Sequence, residues 1–226
     1  NTATTNGGAI NLMDTNTMTA TNTAFTGNKT TKSAANKGGA AVYVANTSAS
    51  FDGCTFTENT VAGNTDSVGG ALCFYAVSAS QTAITVSGST FTGNTAPNGG
   101  AIGLSDSGSF RSGRAIVNWT DCSFTGNSAA GKGGAIAIPY SCENAMHCVV
   151  TLSGCTYSGN TAAQEPDFYS ADKLNITVDG KVPEVKPAAP KAAPAAAIKP
   201  AAPTAEKPAA EAAAAPKAEA PAEPKE

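Results

Sequence analysis

Aromatic residues flanked by small polar residues recur along the chain at a nearly constant interval. In the Thr-Phe-Thr segments centred on Phe56 and Phe91, polar and apolar positions alternate, which predicts a short strand with one buried face. An asparagine follows each aromatic residue three positions later, and successive copies begin 31 to 35 residues apart. Five copies are present, with the aromatic residues Phe25, Phe56, Phe91, Phe124 and Tyr157 and the asparagines Asn28, Asn59, Asn94, Asn127 and Asn160.

A glycine pair followed by alanine alternates with this motif, at intervals of 30 to 34 residues. Because glycine tolerates positive φ, each pair predicts a tight corner that opens another strand. The paired glycines are Gly7, Gly8, Gly38, Gly39, Gly69, Gly70, Gly99, Gly100, Gly133 and Gly134. The residues that follow the alanine form a second apolar series, namely Ile10, Ala41, Leu72, Ile102 and Ile136.

A repeat of this length, with two or three short strands and no amphipathic helix, cannot bury its apolar face alone. Copies stacked at the inter-strand distance of ~4.8 Å would form parallel sheets along one axis. The aromatic residues then form an internal stack, the aliphatic residues form another, and the asparagines form a hydrogen-bonded ladder at one corner. The sequence therefore predicts an all-β parallel β-helix, a solenoid, of about five to six coils. The high glycine, threonine and asparagine content disfavours an α-solenoid, and no hairpin pattern indicates a propeller.

Composition divides the chain into two parts. Residues 1–180 predict the β-helix repeat domain, which ends in a degenerate sixth copy at Pro166–Tyr169 and a final strand within Lys173–Gly180. Residues 181–226 predict a disordered linker or tail, because the 44 residues from Pro183 onwards include 19 alanines and 10 prolines. The chain begins at Asn1, without methionine, and enters a repeat at once, so we expect upstream coils or a partner that covers the N-terminal coil.

The later coils carry larger inserts between the glycine pair and the aromatic residue. This distance is 18 residues in the first two coils and 22 to 25 residues in the next three. Inserts on one side of successive coils predict one surface, which in a solenoid is often the binding face. The candidate binding residues in these inserts are Asp106, Arg111, Arg114 and His147. Growth of loops without a function is the alternative interpretation.

Six cysteines in a polar chain favour an oxidising compartment. Cys142 and Cys148 flank a short loop and are a candidate disulfide. We expect Cys54, Cys122 and Cys155 to be free buried thiols, because side chains stacked in register point the same way and strain a bridge. A zinc site fits poorly, since the chain has a single histidine and no Cys-x-x-Cys pair, and we predict no metal and no cofactor.

The charge pattern bears on partners. The net charge is −3 and there is no basic patch, so we expect no nucleic-acid partner. No apolar run reaches the ~18–20 residues that a membrane span requires, so we expect no span in this segment.

The paired Phe-x-x-Asn and Gly-Gly-Ala-aliphatic motifs, from Gly7 to about Gly180, resemble those of the polymorphic outer membrane protein family. The resemblance implies a right-handed β-helix similar to that of pectin lyase. It also implies an extracellular or cell-surface structural or adhesive module. Its expected partners are a protein or glycan surface, or neighbouring subunits of an assembly.

Two other functions are compatible with this fold. Pectin-lyase-like β-helices include polysaccharide lyases, which need clustered carboxylates and a basic residue on one sheet face. Acidic residues are sparse outside the tail, and the one candidate cluster comprises Asp106, Arg111, Arg114 and Asp121, so we predict no catalytic residues. The Thr-x-Thr rows at Phe56 and Phe91 raise a third function, binding of ice or another ordered surface.

Overall fold

The computed structural model describes residues 1–14, 17–76, 81–106, 114–139, 148–171 and 176–181. Every regular element in these ranges is a β-strand. In chain order the strands are β1 (Thr2–Ala3), β2 (Ile10–Met13), β3 (Thr17–Thr21), β4 (Ala24–Thr26), β5 (Lys29–Ser33), β6 (Val42–Ala45), β7 (Ser48–Asp52), β8 (Thr55–Thr57), β9 (Thr60–Gly63), β10 (Leu72–Ala76), β11 (Gln81–Ser87), β12 (Thr90–Thr92), β13 (Thr95–Ala96), β14 (Ile102–Asp106), β15 (Arg114–Thr120), β16 (Ser123–Thr125), β17 (Ser128–Ala129), β18 (Ile136–Ile138), β19 (Cys148–Ser153), β20 (Thr156–Ser158), β21 (Phe168–Ser170) and β22 (Ile176–Val178).

The strands form four parallel sheets, each built from strands one repeat apart. Sheet A is β1-β5-β9-β13-β17, sheet B is β2-β6-β10-β14-β18-β21, sheet C is β3-β7-β11-β15-β19-β22, and sheet D is β4-β8-β12-β16-β20. One coil passes through sheets B, C, D and A in that order. Four coils contain all four strands, and partial coils extend the stack beyond them. The predicted all-β parallel solenoid is therefore confirmed, whereas the sense of winding stays a prediction.

The aromatic residues stack inside the solenoid behind sheet D. Phe25, Phe56, Phe91, Phe124 and Tyr157 are consecutive register partners. Adjacent rings lie 4.7 to 5.3 Å apart between centroids and within 11° of parallel. Since this separation is close to the strand spacing, identical side chains in register meet face to face along the axis.

The aliphatic stack differs from the predicted series by one residue. Val42, and not Ala41, pairs with Ile10 on one side and Leu72 on the other. In the second coil the corner falls on Gly39, with Ala40 in the place of the second glycine, so the strand begins one residue later than the glycine pair suggests. A valine consequently fills the core position that alanine would have left underpacked.

Each complete coil has four strands, where the sequence predicted two or three. The additional strands are the shortest ones, such as Thr95–Ala96 in sheet A, and two residues cannot display an alternating pattern. The expected C-terminal features are present: Phe168 pairs with Ile136, and β22 pairs with β19. The predicted tail lies outside the described residues, so the domain boundary at residue 180 stays a prediction.

The described ranges contain no helix with the length and apolarity needed to cross a membrane.

Truncation of one stacked ring tests this core. Phe91→Ala removes a fully buried ring between two stacked neighbours, and we expect a loss of about 3–5 kcal/mol in the free energy of unfolding. Met13→Ala is the control, because this side chain is 52% exposed. Equal losses for the two variants in a urea titration would contradict the internal stack.

Candidate functional site

A ladder of buried asparagines joins the coils at the corner between sheets D and A. In the middle of the ladder, the backbone N–H and the Nδ2 of Asn94 both donate to Oδ1 of Asn127, at 3.0 and 2.9 Å. Asn94 Nδ2 also donates to the carbonyl oxygen of Phe56, at 2.9 Å. Asn59 and Asn127 repeat this arrangement one coil away on either side. Every coil therefore binds both the coil before it and the coil after it.

The ladder has one more member at each end than the motif predicted. Asn1 Nδ2 donates to Oδ1 of Asn28 at 3.1 Å, although no Phe-x-x-Asn motif marks Asn1 in this sequence. At the other end Asn160 Nδ2 donates to Oδ1 of Asp167 at 3.1 Å. The carboxylate of Asp167 thus accepts the hydrogen bond that a further asparagine would accept. The sequence signal for the role of Asp167 at the end of the ladder was its position in the degenerate sixth copy.

The glycine pairs form the corner between sheets A and B. The first residue of each corner has positive φ, and these residues are Gly7, Gly39, Gly69, Gly99 and Gly133. The second position is closed to most side chains for another reason. A Cβ at Gly100 would lie 2.1 Å from the carbonyl oxygen of Gly134 in the next coil. Gly38 precedes its corner and forms a bridge with Val68.

All the inserts leave the solenoid at the corner between sheets B and C, which we call the loop corner. The connections there are residues 14–16, 46–47, 77–80, 107–113, 139–147 and 171–175. Asp106 ends β14 and Arg114 begins β15, so these two candidates flank one connection. Arg111 and His147 lie outside the described residues. Cys148 begins β19, whereas Cys142 lies outside the described residues, so their disulfide stays a prediction.

Asp121 does not belong to this group. It lies at the corner between sheets C and D, beyond the far end of β15, whereas Arg114 is at the near end. Six residues of extended strand separate Asp121 from the loop corner by about 20 Å. The predicted cluster of Asp106, Arg111, Arg114 and Asp121 is therefore wrong for Asp121. The strand β15, and not a loop, connects Arg114 to Asp121.

The predicted Thr-x-Thr rows lie on the outer face of sheet D. Its ten outward positions form two columns, and Ala24 is the one position without a hydroxyl group. These side chains are exposed or half-buried, while the aromatic residue between them is inside. The face is flat and uncharged, and it is a second candidate surface beside the loop corner.

A column of small residues lies between sheets C and D, and it includes three of the four described free cysteines. The column is Thr23, Cys54, Ser89, Cys122 and Cys155. The Cys122 sulfur lies 3.4 Å from the carbonyl oxygens of both Val86 and Thr120, and its single proton can be donated to either of them. Cys122 and Cys155 occupy adjacent coils, and each is followed by a residue of sheet D, Ser123 and Thr156, that pairs with the other in register.

The acidities of the two thiols are shifted in opposite directions. The neighbouring Cys122 side chain and, after it, backbone groups around the sulfur hold the pKa of the Cys155 thiol below its ordinary value, although burial opposes this shift. The neighbouring Cys155 side chain, together with burial, raises the pKa of Cys122. Burial also raises the pKa of Cys73, a separate thiol outside sheet B, to about 12. Among the four cysteines described as free thiols, Cys155 is half-buried and the other three are buried, so Cys155 is the most accessible of the four.

No group of three or more histidine, cysteine, aspartate or glutamate side chains converges in the described part of the chain.

Substitution within the asparagine ladder should be costly. Asn94→Ala leaves the Asn59 amide groups, the Phe56 carbonyl and Asn127 Oδ1 each short of a partner inside the protein. With about 1–3 kcal/mol for each buried group left unsatisfied, we expect severe destabilisation in thermal unfolding. Asn118→Ala is the matched control on an exposed strand position, and a comparable loss there would refute a special role for the ladder.

Alkylation should distinguish the four described thiols. With iodoacetamide near neutral pH, we expect Cys155 to react before Cys54, Cys73 and Cys122, since only a thiolate attacks and its fraction rises as pH passes through the pKa. Peptide mass spectrometry gives the order. Faster labelling of Cys73 than of Cys155 would contradict the assignment.

Residues 88–105 and 121–139 match the family model described as the Chlamydia polymorphic membrane protein (Chlamydia_PMP) repeat. Each range starts at the corner between sheets C and D and runs through sheets D and A into sheet B, so it includes one aromatic residue, one ladder asparagine and one glycine corner. No curated protein and no solved structure matches the chain. A surface structural or adhesin-like module fits both this family and the solenoid fold. Residues 88–105 and 121–139 are thus similar to polymorphic membrane protein repeats, and they belong to consecutive coils of a parallel β-solenoid.

Proposed function

We propose that this chain is a non-catalytic cell-surface module that binds a protein or glycan surface through the loop corner. The observation that carries the proposal is the position of the variable connections. They occupy the same corner in successive coils and grow from two residues, 46–47, to nine residues, 139–147. Since the strands that flank these connections are stacked in register, the variable segments all start and end on one side of the solenoid, which is where solenoids commonly bind partners.

The lengths of the other connections also support a binding role for the loop corner. The connections between sheets C and D, at the small-residue column, and between sheets D and A, at the asparagine ladder, are each two residues long, whereas those at the glycine corner range from five to eight residues. In the second coil the loop corner is short: Asn46 and Thr47 connect β6 to β7, and Asn46 Nδ2 donates to Oδ1 of Asp14 in the preceding coil at 2.8 Å. Inserts there leave the register of sheets B and C intact, since Gln81 pairs with Arg114 directly beyond the loops.

A compact-corner variant tests the binding surface. Residues 76–82, 106–115 and 140–148 are each replaced by Asn-Thr, which copies the 46–47 connection of the second coil at equivalent register positions. The variant removes the candidate residues Asp106, Arg111, Arg114 and His147 and retains most of the ladder contacts. We expect attachment of protein-coated beads to cultured epithelial cells to fall by about fivefold or more, which corresponds to roughly 1 kcal/mol.

The matched control carries Thr55→Val, Thr90→Val, Thr92→Val and Thr125→Val on sheet D. These changes remove four outward hydroxyl groups and keep the strand preference and the loops. We expect the control to attach as well as the unchanged chain. Loss of attachment in the control alone would move the binding surface to sheet D and favour the ordered-surface alternative.

The enzyme alternative has its own test. The chain is incubated with acidic and neutral polysaccharides, with and without Ca²⁺, and unsaturated or reducing-end products are followed. We expect no turnover, because Asp106 and Arg114 lie at the ends of strands in different sheets, and Asp121 is about 20 Å from Arg114. Turnover that Asp106→Ala or Arg114→Ala abolishes would overturn the proposed function.

A further inference from the structure

Cys122 and Cys155 are stacked in register on consecutive coils. The residues that follow them, Ser123 and Thr156, are register partners, and the Thr156 N–H donates to the Cys122 carbonyl oxygen at 2.9 Å. Both cysteines are free thiols, and each sulfur contacts a carbonyl oxygen of the preceding coil, that of Val86 for Cys122 at 3.4 Å and that of Trp119 for Cys155 at 3.5 Å. Because they belong to one column at the start of sheet D, their side chains leave the backbone in the same direction.

This arrangement suits a bridging metal ion better than a disulfide. Parallel side chains on neighbouring strands keep their sulfur atoms near the strand spacing of ~4.8 Å. A disulfide requires the two sulfurs to approach to about 2.05 Å, with the Cβ atoms about 3.8 Å apart. A linear sulfur–metal–sulfur unit with bonds of about 2.3 Å, the length of a zinc–thiolate bond, requires a sulfur separation of about 4.6 Å. The metal bridge therefore needs little movement of the backbone, whereas the disulfide needs a contraction of the stack.

The number of donors selects the class of metal. In the described residues no group of three or more histidine, cysteine, aspartate or glutamate side chains is found, so the four ligands of a structural zinc site are not supplied. Two thiolates alone satisfy a soft monovalent ion that accepts linear coordination, and thiolate ligands select copper(I) among biological metals. We propose that Cys122 and Cys155 form a two-coordinate copper(I) site between the fourth and fifth coils.

Binding of copper(I) to the two cysteines releases protons. Each thiol releases one proton to solvent, and two thiolates with one monovalent ion leave a complex with a single negative charge. Cys155 is half-buried and Cys122 is buried, so the ion enters from the side of Cys155. Cys122 then loses its proton and its sulfur binds the metal. The thiol contacts with the carbonyl oxygens of Val86 and Thr120 are given up in this step.

The same column contains a built-in control. Cys54 is stacked on Ser89, and the Cys54 N–H donates to Ser89 Oγ at 3.0 Å, so serine is accommodated at this position of the coil. Cys122→Ser and Cys155→Ser are therefore expected to fold. Ser89→Cys, in turn, places a second thiol beside Cys54 and should create a second site by the same geometry.

The test uses the full chain with Cys142→Ser and Cys148→Ser as background, reduced and handled without oxygen. Copper(I) is titrated against a bathocuproine chelator, and circular dichroism checks that each variant folds. We expect about one tightly held copper(I) per chain, lost in Cys122→Ser and in Cys155→Ser, retained in Cys54→Ser and Cys73→Ser, and doubled in Ser89→Cys.

Three results would overturn the proposal. The first is a background chain that holds no copper(I) against the chelator. The second is equal binding by the chain that lacks both Cys122 and Cys155. The third is rapid loss of two titratable thiols in air, without metal, that requires both cysteines, since a readily formed disulfide would show that the sulfurs are not held at the strand spacing.

Discussion

Every coil of this protein depends on hydrogen bonds and ring contacts with the next coil, made at the spacing of one β-strand. A single coil of about 30 residues cannot bury its core alone, because its aromatic ring stacks on rings one repeat away and its ladder asparagine bonds to asparagines one repeat away. The asparagine shows the constraint most clearly. Its side chain accepts two hydrogen bonds from one neighbour and donates to the other, and no other residue type of that size has the same two faces. The repeat is therefore constant where the coils touch.

Freedom to vary follows from the same constraint. The connections on either side of sheet D are two residues long in every complete coil, whereas those at the loop corner between sheets B and C range from two to nine residues. The outward side chains of sheet D do not take part in the core. They face solvent, and the aromatic rings on the other side of the sheet form the stack. The cysteine column shows an intermediate case. Its positions accept threonine, serine or cysteine, and only the coincidence of two cysteines in adjacent coils gives the pair Cys122 and Cys155 a chemistry of its own.

The sequence predicted the solenoid because its signals are those that stacking requires. The aromatic and asparagine motif places one large side chain inside and one amide at a corner, and both are aligned in the structure. Register within a coil was harder to predict. The pair Gly38 and Gly39 points to Ala41 as the core residue, but the backbone places its positive φ at Gly39 and Val42 enters the core. Two-residue strands, and Asp167 at the end of the ladder, have no periodic pattern that would predict them. The position of the loop corner could be predicted, because the length of each insert is visible in the sequence. The residues that belong to it could not all be predicted, because Asp121 lies beyond the seven-residue strand β15 and therefore at another corner.

Hydrogen exchange at the ladder asparagines tests the account most directly. The backbone N–H groups of Asn59, Asn94 and Asn127 lie between strands of sheets D and A, where an ordinary corner would leave them open to water. Here each donates to the Oδ1 of the next asparagine at 2.9 to 3.0 Å and is buried. The account predicts that these three amides exchange as slowly as those of the neighbouring strands, only through global unfolding. Exchange at the rate of exposed turn amides, in a protein whose strand amides are protected, would contradict the ladder as the interaction that holds the coils together.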